Sequence, residues 1–227
     1  MNIPKRYQMN MGILNKQDLN RLQTIEVVVV GLGGLGGNVV NQLVRLGVKR
    51  LTLVDFDVFS ESNLNRQLFS NTSNIGQSKV DVISQELKKI NPDLYLKIFR
   101  KRVQDITDIS GDYLIDCVDN IETKIYLAKL SKQLGIPLLH GSCGGWLGQV
   151  GWISPTCTLI EDLYAGEEKG LEDDMLNPPF TPSVVASVMV SEFAKMIKNR
   201  LDVIMDQILF IDLYENTLVR LGGHKRG

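Results

Sequence analysis

The sequence predicts an α/β fold with a doubly wound, mostly parallel sheet, helices on both faces and antiparallel strands added at the C-terminal end. Up to about residue 141, strand-like segments alternate with segments whose apolar residues recur at helical spacing. The segment Ile25–Val30 is apolar on both faces, which is typical of a central parallel strand. After residue 142, strand-like segments follow one another with a different pattern, and these predict the antiparallel extension.

The individual elements follow from periodicity and from the residues that end them. Helices are expected to stop at Gly47, where a glycine can close the last turn, and before Pro92, which disfavours a helical residue at Asn91. The predicted strands are Ile25–Val30, Arg50–Asp57, Leu94–Phe99, Asp112–Asn120 and Ile136–Ser142, and the predicted helices are Asn15–Gln23, Asn38–Gly47, Gln77–Asp93 and Ile121–Gly135. Alternation of this kind predicts a sheet whose strands share one carboxyl-end edge.

The whole chain, residues 1–227, is expected to form a single domain. A helical arm (1–24) precedes the α/β core (25–141), and an extension (142–227) follows it. In the extension, 148–155 is expected to be an antiparallel strand, 161–180 a crossover loop and 207–221 a closing hairpin. Thr181 is predicted to cap an apolar helix over 181–199 with Pro182 at its first position, and that helix is expected to pack in the core or at a subunit interface.

Composition and charge exclude several functions. The chain has 25 Lys and Arg against 26 Asp and Glu, so there is no electrostatic case for binding nucleic acid or an anionic membrane. The first residues have no apolar run of signal-peptide length, and no apolar run is expected to span a membrane. The three cysteines, Cys117, Cys143 and Cys157, are widely spaced, which favours reduced thiols and a cytoplasmic location.

The glycine-rich turn "VVVVGLGGLGG" predicts a phosphate-binding site. Gly31, Gly33 and Gly36 fit the G-x-G-x-x-G pattern of Rossmann-like dinucleotide-binding folds, and Asp55 lies where it can bind ribose hydroxyls. In such turns the phosphate meets free N–H groups at a helix N-terminus. Taken alone, the turn favours an NAD-dependent oxidoreductase.

A polar cluster after the second strand favours a triphosphate instead. The stretch "DFDVFSESNLNRQ" is followed by "GQSK", and "CVDN" ends a later strand. Fixed cations stabilise the charge that develops on a leaving pyrophosphate, and one carboxylate together with phosphates can hold Mg²⁺. A dinucleotide needs neither an additional arginine nor a lysine. The candidate nucleotide-binding residues are Gly31, Gly33, Gly34, Asp55, Asp57, Ser62, Asn63, Asn65, Arg66, Gln67, Lys79, Asp119 and Asn120; the alternative role of the last two is to cap the following helix.

These motifs, in this order, resemble the ThiF/MoeB/HesA family, the bacterial relatives of ubiquitin-activating enzymes. The resemblance extends from Arg6-Tyr7 to the final hairpin, and "SNLNRQ" after "DFD" is its most specific part. It implies an ATP-dependent adenylyltransferase that uses Mg²⁺ and activates the C-terminal Gly-Gly carboxylate of a small ubiquitin-like sulfur carrier protein. It also implies a homodimer.

By the same resemblance, Gly33 and Gly34 would contact the nucleotide and Asp55 the ribose. Asn63, Asn65, Arg66 and Lys79 would surround the phosphates, with Asp119 as the Mg²⁺ ligand. Arg66, Lys79 and Asp119 are therefore the residues expected to act in catalysis.

The chain departs from the family in three places. Structural zinc is not expected, because only Cys157 lies near the position of the first C-x-x-C pair and the second pair is absent. Met9 stands where the family has an N-terminal arginine, which Lys5 or Arg6 could replace. The crossover loop has no cysteine, so Cys143 is a candidate for a covalent carrier intermediate only by elimination; burial is the favoured role, and Cys117 is expected to lie in the core.

Other residues have less specific predictions. His140 is expected to hydrogen-bond near the site and His224 to lie in the tail, while Trp146 and Trp152 are expected to pack rather than contact a carrier. Three other functions stay open: an NAD-dependent oxidoreductase, an ATP-dependent relative that activates a tRNA base or a peptide terminus, and a non-catalytic relative that binds nucleotide or a carrier and regulates a partner. The carrier, the pathway and the sulfur donor are not determined by the sequence.

Overall fold

The computed structural model describes residues 3–166, 176–200 and 202–222. Its strands are β1 (Glu26–Val30), β2 (Arg50–Val54), β3 (Tyr95–Phe99), β4 (Tyr113–Asp116), β5 (Leu138–Gly144), β6 (Leu147–Ile153), β7 (Ile208–Asp212) and β8 (Thr217–Leu221). They form one eight-stranded sheet in the order β3-β2-β1-β4-β5-β6-β7-β8. Strands β1 to β5 are parallel to one another, and β6, β7 and β8 are antiparallel additions next to β5. This architecture confirms the predicted fold class.

The helices are α1 (Lys16–Leu22), α2 (Gly34–Leu46), α3 (Lys79–Ile90), α4 (Ile121–Leu134), α5 (Leu159–Leu163) and α6 (Phe180–Ile197). Short 3₁₀ helices cover Lys5–Gly12, Glu61–Asn63 and Val103–Asp105. The sheet separates two apolar clusters. One includes residues of α1, α2, α3 and α6, and the other includes residues of α4 and α5. Side chains of β1 alternate between the two clusters, as a strand covered on both faces requires.

The topology places the carboxyl ends of β1 and β4 side by side at the centre of the sheet. From β1 the chain crosses to β2 and then β3 on one side, and then returns to β4 and β5 on the other. A crevice forms at this reversal because the loops after the two central strands leave in opposite directions. The glycine turn after β1 and the acidic turn after β4 therefore lie next to each other.

Helix α6 begins at Phe180, two residues before Pro182, its predicted first position, so the assignment of Thr181 as its N-cap was wrong. Pro179 occupies the N-cap position, and the Thr181 hydroxyl instead donates a 2.5 Å hydrogen bond to the carbonyl of Gly145, in the turn between β5 and β6. Pro182 lies in the first turn, where its missing N–H leaves no helical bond unmade. The helix start is thereby fixed to the antiparallel part of the sheet.

Helix α6 is long and apolar enough to span a membrane by length and composition, but 56% of it is buried within the protein. It packs against α2 and against β5 and β6, and Val185, Met189 and Phe193 are completely buried. These contacts are those of a core helix, which was one of its two predicted roles. The Glu192 carboxylate accepts a hydrogen bond from Ile204 N, at 2.9 Å, and pairs with Lys195, so the apolar helix also anchors the loop that leads to β7.

The segment predicted as a crossover loop (161–180) is regular at its start. Helix α5 covers Leu159–Leu163, and Tyr164 after it is buried. Residues 167–175 of the predicted loop lie outside the described residues. The predicted closing hairpin is confirmed as β7 and β8, and all five residues of β8 are exposed.

The N-terminal arm is attached to the core by specific hydrogen bonds. Arg6 donates to the Asn91 side chain at 2.8 Å, and Asn91 donates to the buried Tyr7 hydroxyl at 3.0 Å. The Arg6 side chain is therefore engaged within its own chain. Met9, at the position of the family's arginine, is 92% exposed.

Candidate functional site

The candidate site is a cleft at the carboxyl ends of β1, β2, β3 and β4. It includes about 990 Å³ of space that no atom occupies, counting the part open to solvent. Ten of the predicted nucleotide-binding residues line it: Gly31, Gly33, Gly34, Asp55, Asp57, Arg66, Gln67, Lys79, Asp119 and Asn120. Residues far apart in the sequence are thus brought together as the strand ends predicted.

The glycine turn leaves the N-terminus of α2 open towards the cleft. Gly31 has a φ of +86°, and a Cβ atom there would lie 2.6 Å from the carbonyl oxygen of Cys117. Gly33 is the N-cap of α2 and provides no side-chain hydrogen bond to the first-turn N–H groups. These N–H groups and the helix dipole favour an anion such as a phosphate.

Asp55 supports the glycine turn. One of its carboxylate oxygens accepts a hydrogen bond from Leu32 N at 2.6 Å, and the other accepts one from Asp57 N at 2.8 Å. Burial raises the pKa of Asp55, although Lys79 and these backbone hydrogen bonds act in the opposite direction. Asp55 therefore holds the turn in shape, and each carboxylate oxygen keeps a second lone pair with which a ribose hydroxyl could bond.

Two of the predicted cations face the cleft in different ways. Lys79, the first residue of α3, is buried and forms a salt bridge with Asp57 at 2.9 Å. Arg66 donates hydrogen bonds to Ser62 O and Asn65 Oδ1, both at 2.9 Å, and within the described residues it has no acidic partner. The guanidinium is thus oriented by neutral acceptors while its charge is left for a ligand.

Three predicted residues do not line the cleft. The Asn63 side chain is buried and accepts a hydrogen bond from Ser60 N at 3.0 Å, and Ser62 is exposed with its hydroxyl 2.9 Å from that of Ser60. Asn65 lies beside the cleft and donates to Asn177 O at 3.0 Å. The first two therefore shape the 3₁₀ turn that precedes Arg66.

Asp119 and Asn120 form the opposite wall of the cleft. Asn120 caps α4, because its side chain accepts a hydrogen bond from Thr123 N at 2.9 Å, so the alternative considered for this residue is present in the structure. The Asp119 side chain is exposed on the cleft. Within the described part of the chain, no group of three or more His, Cys, Asp or Glu side chains is arranged to hold a metal ion. A cation here would rely on Asp119, on ligand phosphates and on water.

The sequence analysis missed the residues that follow β3. Lys101, Arg102 and Gln104 line the cleft, as does Thr123 in α4, and Arg102 lies over the Phe56 ring at 4.8 Å from its centroid. The basic run "RKR" at residues 100–102 was a signal, since it directly follows a parallel strand whose carboxyl end lies at the same edge of the sheet as the glycine turn.

A buried polar cluster lies beneath the turn that carries Asp119. Asp116, His140 and Lys124 are at most 1% exposed, with His140 Nδ1 2.8 Å from Asp116 Oδ2 and Lys124 Nζ 3.4 Å from both carboxylate oxygens. Burial opposes ionisation of Asp116, but Lys124 and His140 outweigh it and hold the pKa of Asp116 below its ordinary value. The predicted hydrogen bonding of His140 near the site is therefore observed, but its partners were not foreseen.

We expect the free energy of unfolding to fall as the pH drops below about 6.5, the pKa of His140 in the unfolded chain. Burial lowers the pKa of His140 in the folded protein, so the unfolded chain binds a proton that the folded chain does not. Stability therefore rises with pH in the window between the two pKa values, by up to about 1.4 kcal/mol per pH unit. Urea unfolding across this window should give a smaller slope for His140→Asn than for the wild type; equal slopes would contradict the prediction.

An aromatic groove adjoins the cleft, and we define it by Trp146 and Phe180. The Trp146 ring lies 4.8 Å from Phe180 and 5.7 Å from Tyr214, and Trp146 is 48% exposed. Both tryptophans pack against aromatic rings, as predicted, but Trp146 is partly exposed whereas Trp152 is completely buried. Asn177 lines both the aromatic groove and the nucleotide cleft, so the two are continuous.

Two of the three cysteines line the cleft from within the core. Cys143, in β5, is 2% exposed and Cys117, directly after β4, is 7% exposed. Burial of Cys143 agrees with its favoured role. Cys157 is partly exposed, and burial raises the pKa of its thiol, which disfavours the thiolate that binds metal.

The donors and charges of the cleft fit a nucleotide with several phosphates. Gln67 Oε1 is buried and has no hydrogen-bond partner in the described residues, although an unpaired buried acceptor is costly. A ligand hydroxyl or N–H would satisfy it. Together with the open α2 N-terminus and the cations at 66, 79, 101 and 102, this arrangement suits a large anion with polar hydrogens.

A comparison with protein families matches residues 6–225 to the ThiF family. Among curated proteins, the chain is 35% identical over 163 residues to tRNA threonylcarbamoyladenosine dehydratase of Haemophilus influenzae, a match that covers 70% of this chain and 59% of that protein. It is 28% identical over 215 residues to SAMP-activating enzyme E1 of Haloferax volcanii, covering 91% and 80% of the two chains. It is 37% identical over 133 residues to molybdopterin-synthase adenylyltransferase of Salmonella typhimurium, covering 57% and 53%.

Solved structures of E. coli MccB share the fold. The complex of MccB with ATP superposes with a TM-score of 0.82 and 20% identity, covering 97% of this chain and 72% of MccB. The complex with MccA-N7isoASN gives 0.84 and 20%, with the same coverage. At this identity the likeness establishes the architecture alone.

Proposed function

The chain belongs to the ThiF family, and from that premise we propose that it is an ATP-dependent adenylyltransferase for the C-terminal Gly-Gly carboxylate of a small ubiquitin-like sulfur carrier protein. Such carriers serve thiamin or molybdopterin synthesis, and pyrophosphate is the second product. The observation that carries the proposal is the joint placement of Arg66 and Lys79 beside the open N-terminus of α2. A dinucleotide needs neither an additional arginine nor an additional lysine beside its phosphates.

The reaction needs positioning more than proton transfer. The carrier carboxylate is already ionised at neutral pH and attacks the α-phosphorus, while the bond to the pyrophosphate oxygen breaks. Arg66 and Lys79 stabilise the negative charge that accumulates on the leaving group, and the first-turn amides of α2 orient the phosphates. Asp119 is the residue that would hold Mg²⁺, which adds positive charge at the phosphates when bound.

The aromatic groove supports a polypeptide as the second substrate. It opens to solvent at Trp146 and joins the cleft at Asn177, whose carbonyl oxygen bonds to the Asn65 side chain beside Arg66. An extended chain lying on the aromatic rings would bring its C-terminal carboxylate towards the phosphate-binding residues. Aromatic side chains provide large contact areas with little loss of side-chain entropy on binding.

The names of the relatives support an enzyme that activates a substrate, but they differ in the substrate that is activated. The Salmonella relative is a molybdopterin-synthase adenylyltransferase and the Haloferax relative is a SAMP-activating E1, whereas the Haemophilus relative is a tRNA threonylcarbamoyladenosine dehydratase. A tRNA base is therefore the second candidate target, favoured by that 35% identity and by exposed Lys101 and Arg102 at the rim of the cleft. Homodimerisation and a cytoplasmic location stay predictions.

We expect Mg-ATP, and neither NAD⁺ nor NADH, to raise the thermal midpoint of the purified protein. A ligand at one hundred times its dissociation constant adds about 2.7 kcal/mol, or roughly 2–4 °C for a domain of this size. ATP–pyrophosphate exchange should then depend on a carrier that ends in Gly-Gly. The same carrier without its last two glycines is the control.

The thermal midpoints and the exchange assay distinguish the candidate functions. A midpoint shift with NAD⁺ or NADH alone would overturn the adenylyltransferase proposal in favour of an oxidoreductase. Exchange stimulated by tRNA and not by any Gly-Gly carrier would keep the ATP chemistry but assign the second candidate target.

A further inference from the structure

The buried cluster of Asp116, His140 and Lys124 is not needed to contact a nucleotide, yet it lies directly below a wall of the cleft. Asp116 is the last residue of β4, His140 is its register partner in β5, and Lys124 lies in the second turn of α4. An ammonium group that is 1% exposed is rare in proteins unless it is paired. A hydrophobic side chain of similar length would fill the same space without the cost of desolvating charges.

Asp116 connects the cluster to the cleft through one backbone hydrogen bond. Its Oδ1 accepts from Val118 N at 3.0 Å, in the turn between β4 and α4. On the other side of Asp119, Asn120 is fixed as the N-cap of α4 by its bond to Thr123 N. Asp119 is thus held between two anchored neighbours, and the first anchor depends on the orientation of the Asp116 carboxylate.

Lys124 determines that orientation. Its ammonium lies 3.4 Å from both oxygens of Asp116 and donates a 2.9 Å hydrogen bond to Gly141 O in β5. One cation therefore connects the end of β4, the second turn of α4 and the neighbouring strand β5. His140 approaches the other carboxylate oxygen, so Oδ1 is left to accept from Val118.

We infer that Lys124 is a positioning residue: by holding the Asp116 carboxylate against Val118 N, it places Asp119 where a divalent cation and the nucleotide phosphates can meet. The inference rests on the proposed function, in which Asp119 holds Mg²⁺. Lys124 itself contacts neither the nucleotide nor the metal. The expected effect is on the metal-dependent part of nucleotide binding, because the hydrogen bonds that hold Asp55 and Arg66 come from outside the cluster.

The test compares ATP affinity with Mg²⁺ and with EDTA by isothermal titration calorimetry. In Lys124→Met, the gain in affinity that Mg²⁺ gives should fall by at least about tenfold, as expected when the support of a metal ligand is removed. Affinity for ATP in EDTA should stay at the wild-type value. Lys124→Arg keeps the charge and should retain most of the Mg²⁺-dependent gain, which a purely apolar packing role would not predict.

Folding is checked from the thermal midpoint of each variant before titration. If Lys124→Met does not fold, Asp116→Asn provides the second readout, because it keeps the shape of the side chain but removes the charge that Lys124 holds. The same loss of the Mg²⁺-dependent gain is expected there. A folded Lys124→Met or Asp116→Asn protein with the full wild-type gain would overturn the inference.

Asp119→Ala separates this inference from the proposed function. Loss of the Mg²⁺-dependent gain in Asp119→Ala, together with a wild-type gain in Lys124→Met, would reject Lys124 as a positioning residue and leave the assignment of Asp119 intact. A wild-type gain in Asp119→Ala would reject the metal assignment itself, and the inference with it.

Discussion

Arg66→Ala and Lys79→Ala should each lower the rate of carrier-dependent ATP–pyrophosphate exchange by about 100- to 1,000-fold, the usual effect of removing one preorganised charge from a reacting group. Arg66 has no acidic partner in the described residues, so no carboxylate loses an ion pair when Arg66 is removed. Lys79 is different, because its removal leaves Asp57 facing the phosphates without its salt bridge. We therefore expect Lys79→Ala to weaken ATP binding more than Arg66→Ala does.

Arg45→Ala is the matched control for both variants. Arg45 is exposed in the last turn of α2, at the end of the helix opposite the cleft, where it bonds to Asn41. Its loss should leave exchange at the wild-type rate. Thermal midpoints show whether each variant is folded, and wild-type exchange in folded Arg66→Ala and Lys79→Ala proteins would exclude these residues from catalysis.

Gly36→Ala should abolish Mg-ATP binding and lower the free energy of unfolding by about 3 kcal/mol or more, the upper range for overpacking a well-packed site. A Cβ atom on Gly36 would lie 1.8 Å from the carbonyl oxygen of Gly31, and backbone cannot move aside as a flexible side chain can. The glycine turn would have to open, and with it the first-turn amides of α2 would lose their orientation. Urea unfolding and calorimetric titration with Mg-ATP measure the two effects.

Gly12→Ala provides the comparison for this substitution. A Cβ atom on Gly12 would meet nothing within 4 Å, so the same chemical change is made in open space. Its free energy of unfolding and its ATP affinity should match those of the wild type. If Gly36→Ala behaved like Gly12→Ala, the turn would not be as closely packed as the structure shows.

The sequence predicted the α/β order well because each element carries its own local signal. The apolar strand before Gly31, the helix that stops at Gly47 and the proline after Asn91 are all read within a few residues. The start of α6 was misplaced because the partner of Thr181 is Gly145, which is 36 residues away. The sequence alone does not distinguish a threonine that caps a helix from a threonine whose side chain bonds to a distant turn.

Site residues that directly follow a strand could be predicted from the sequence. Residues whose role depends on their burial in the fold could not. The cleft gathers the residues named from the glycine turn, "DFD", "NRQ" and "CVDN", yet Asn63 proved to be a buried support of the turn. The burial of Lys124 was not predicted, because this residue is one of several lysines in the predicted helix. Its signal was its helical spacing from Ile121 and Ala128, which places a charge on the buried face.

The position of β1 between β2 and β4 has a consequence for how the chain folds. β1 pairs with β2 across about twenty residues but meets its other neighbour, β4, only after a further fifty or more have been synthesised. Closing such long loops is slow, whereas β5, β6 and β8 each pair with the strand before them across a shorter connection. During synthesis one edge of β1 therefore stays unpaired until β4 has been made. The parallel part of the sheet is completed only after β4 has left the ribosome.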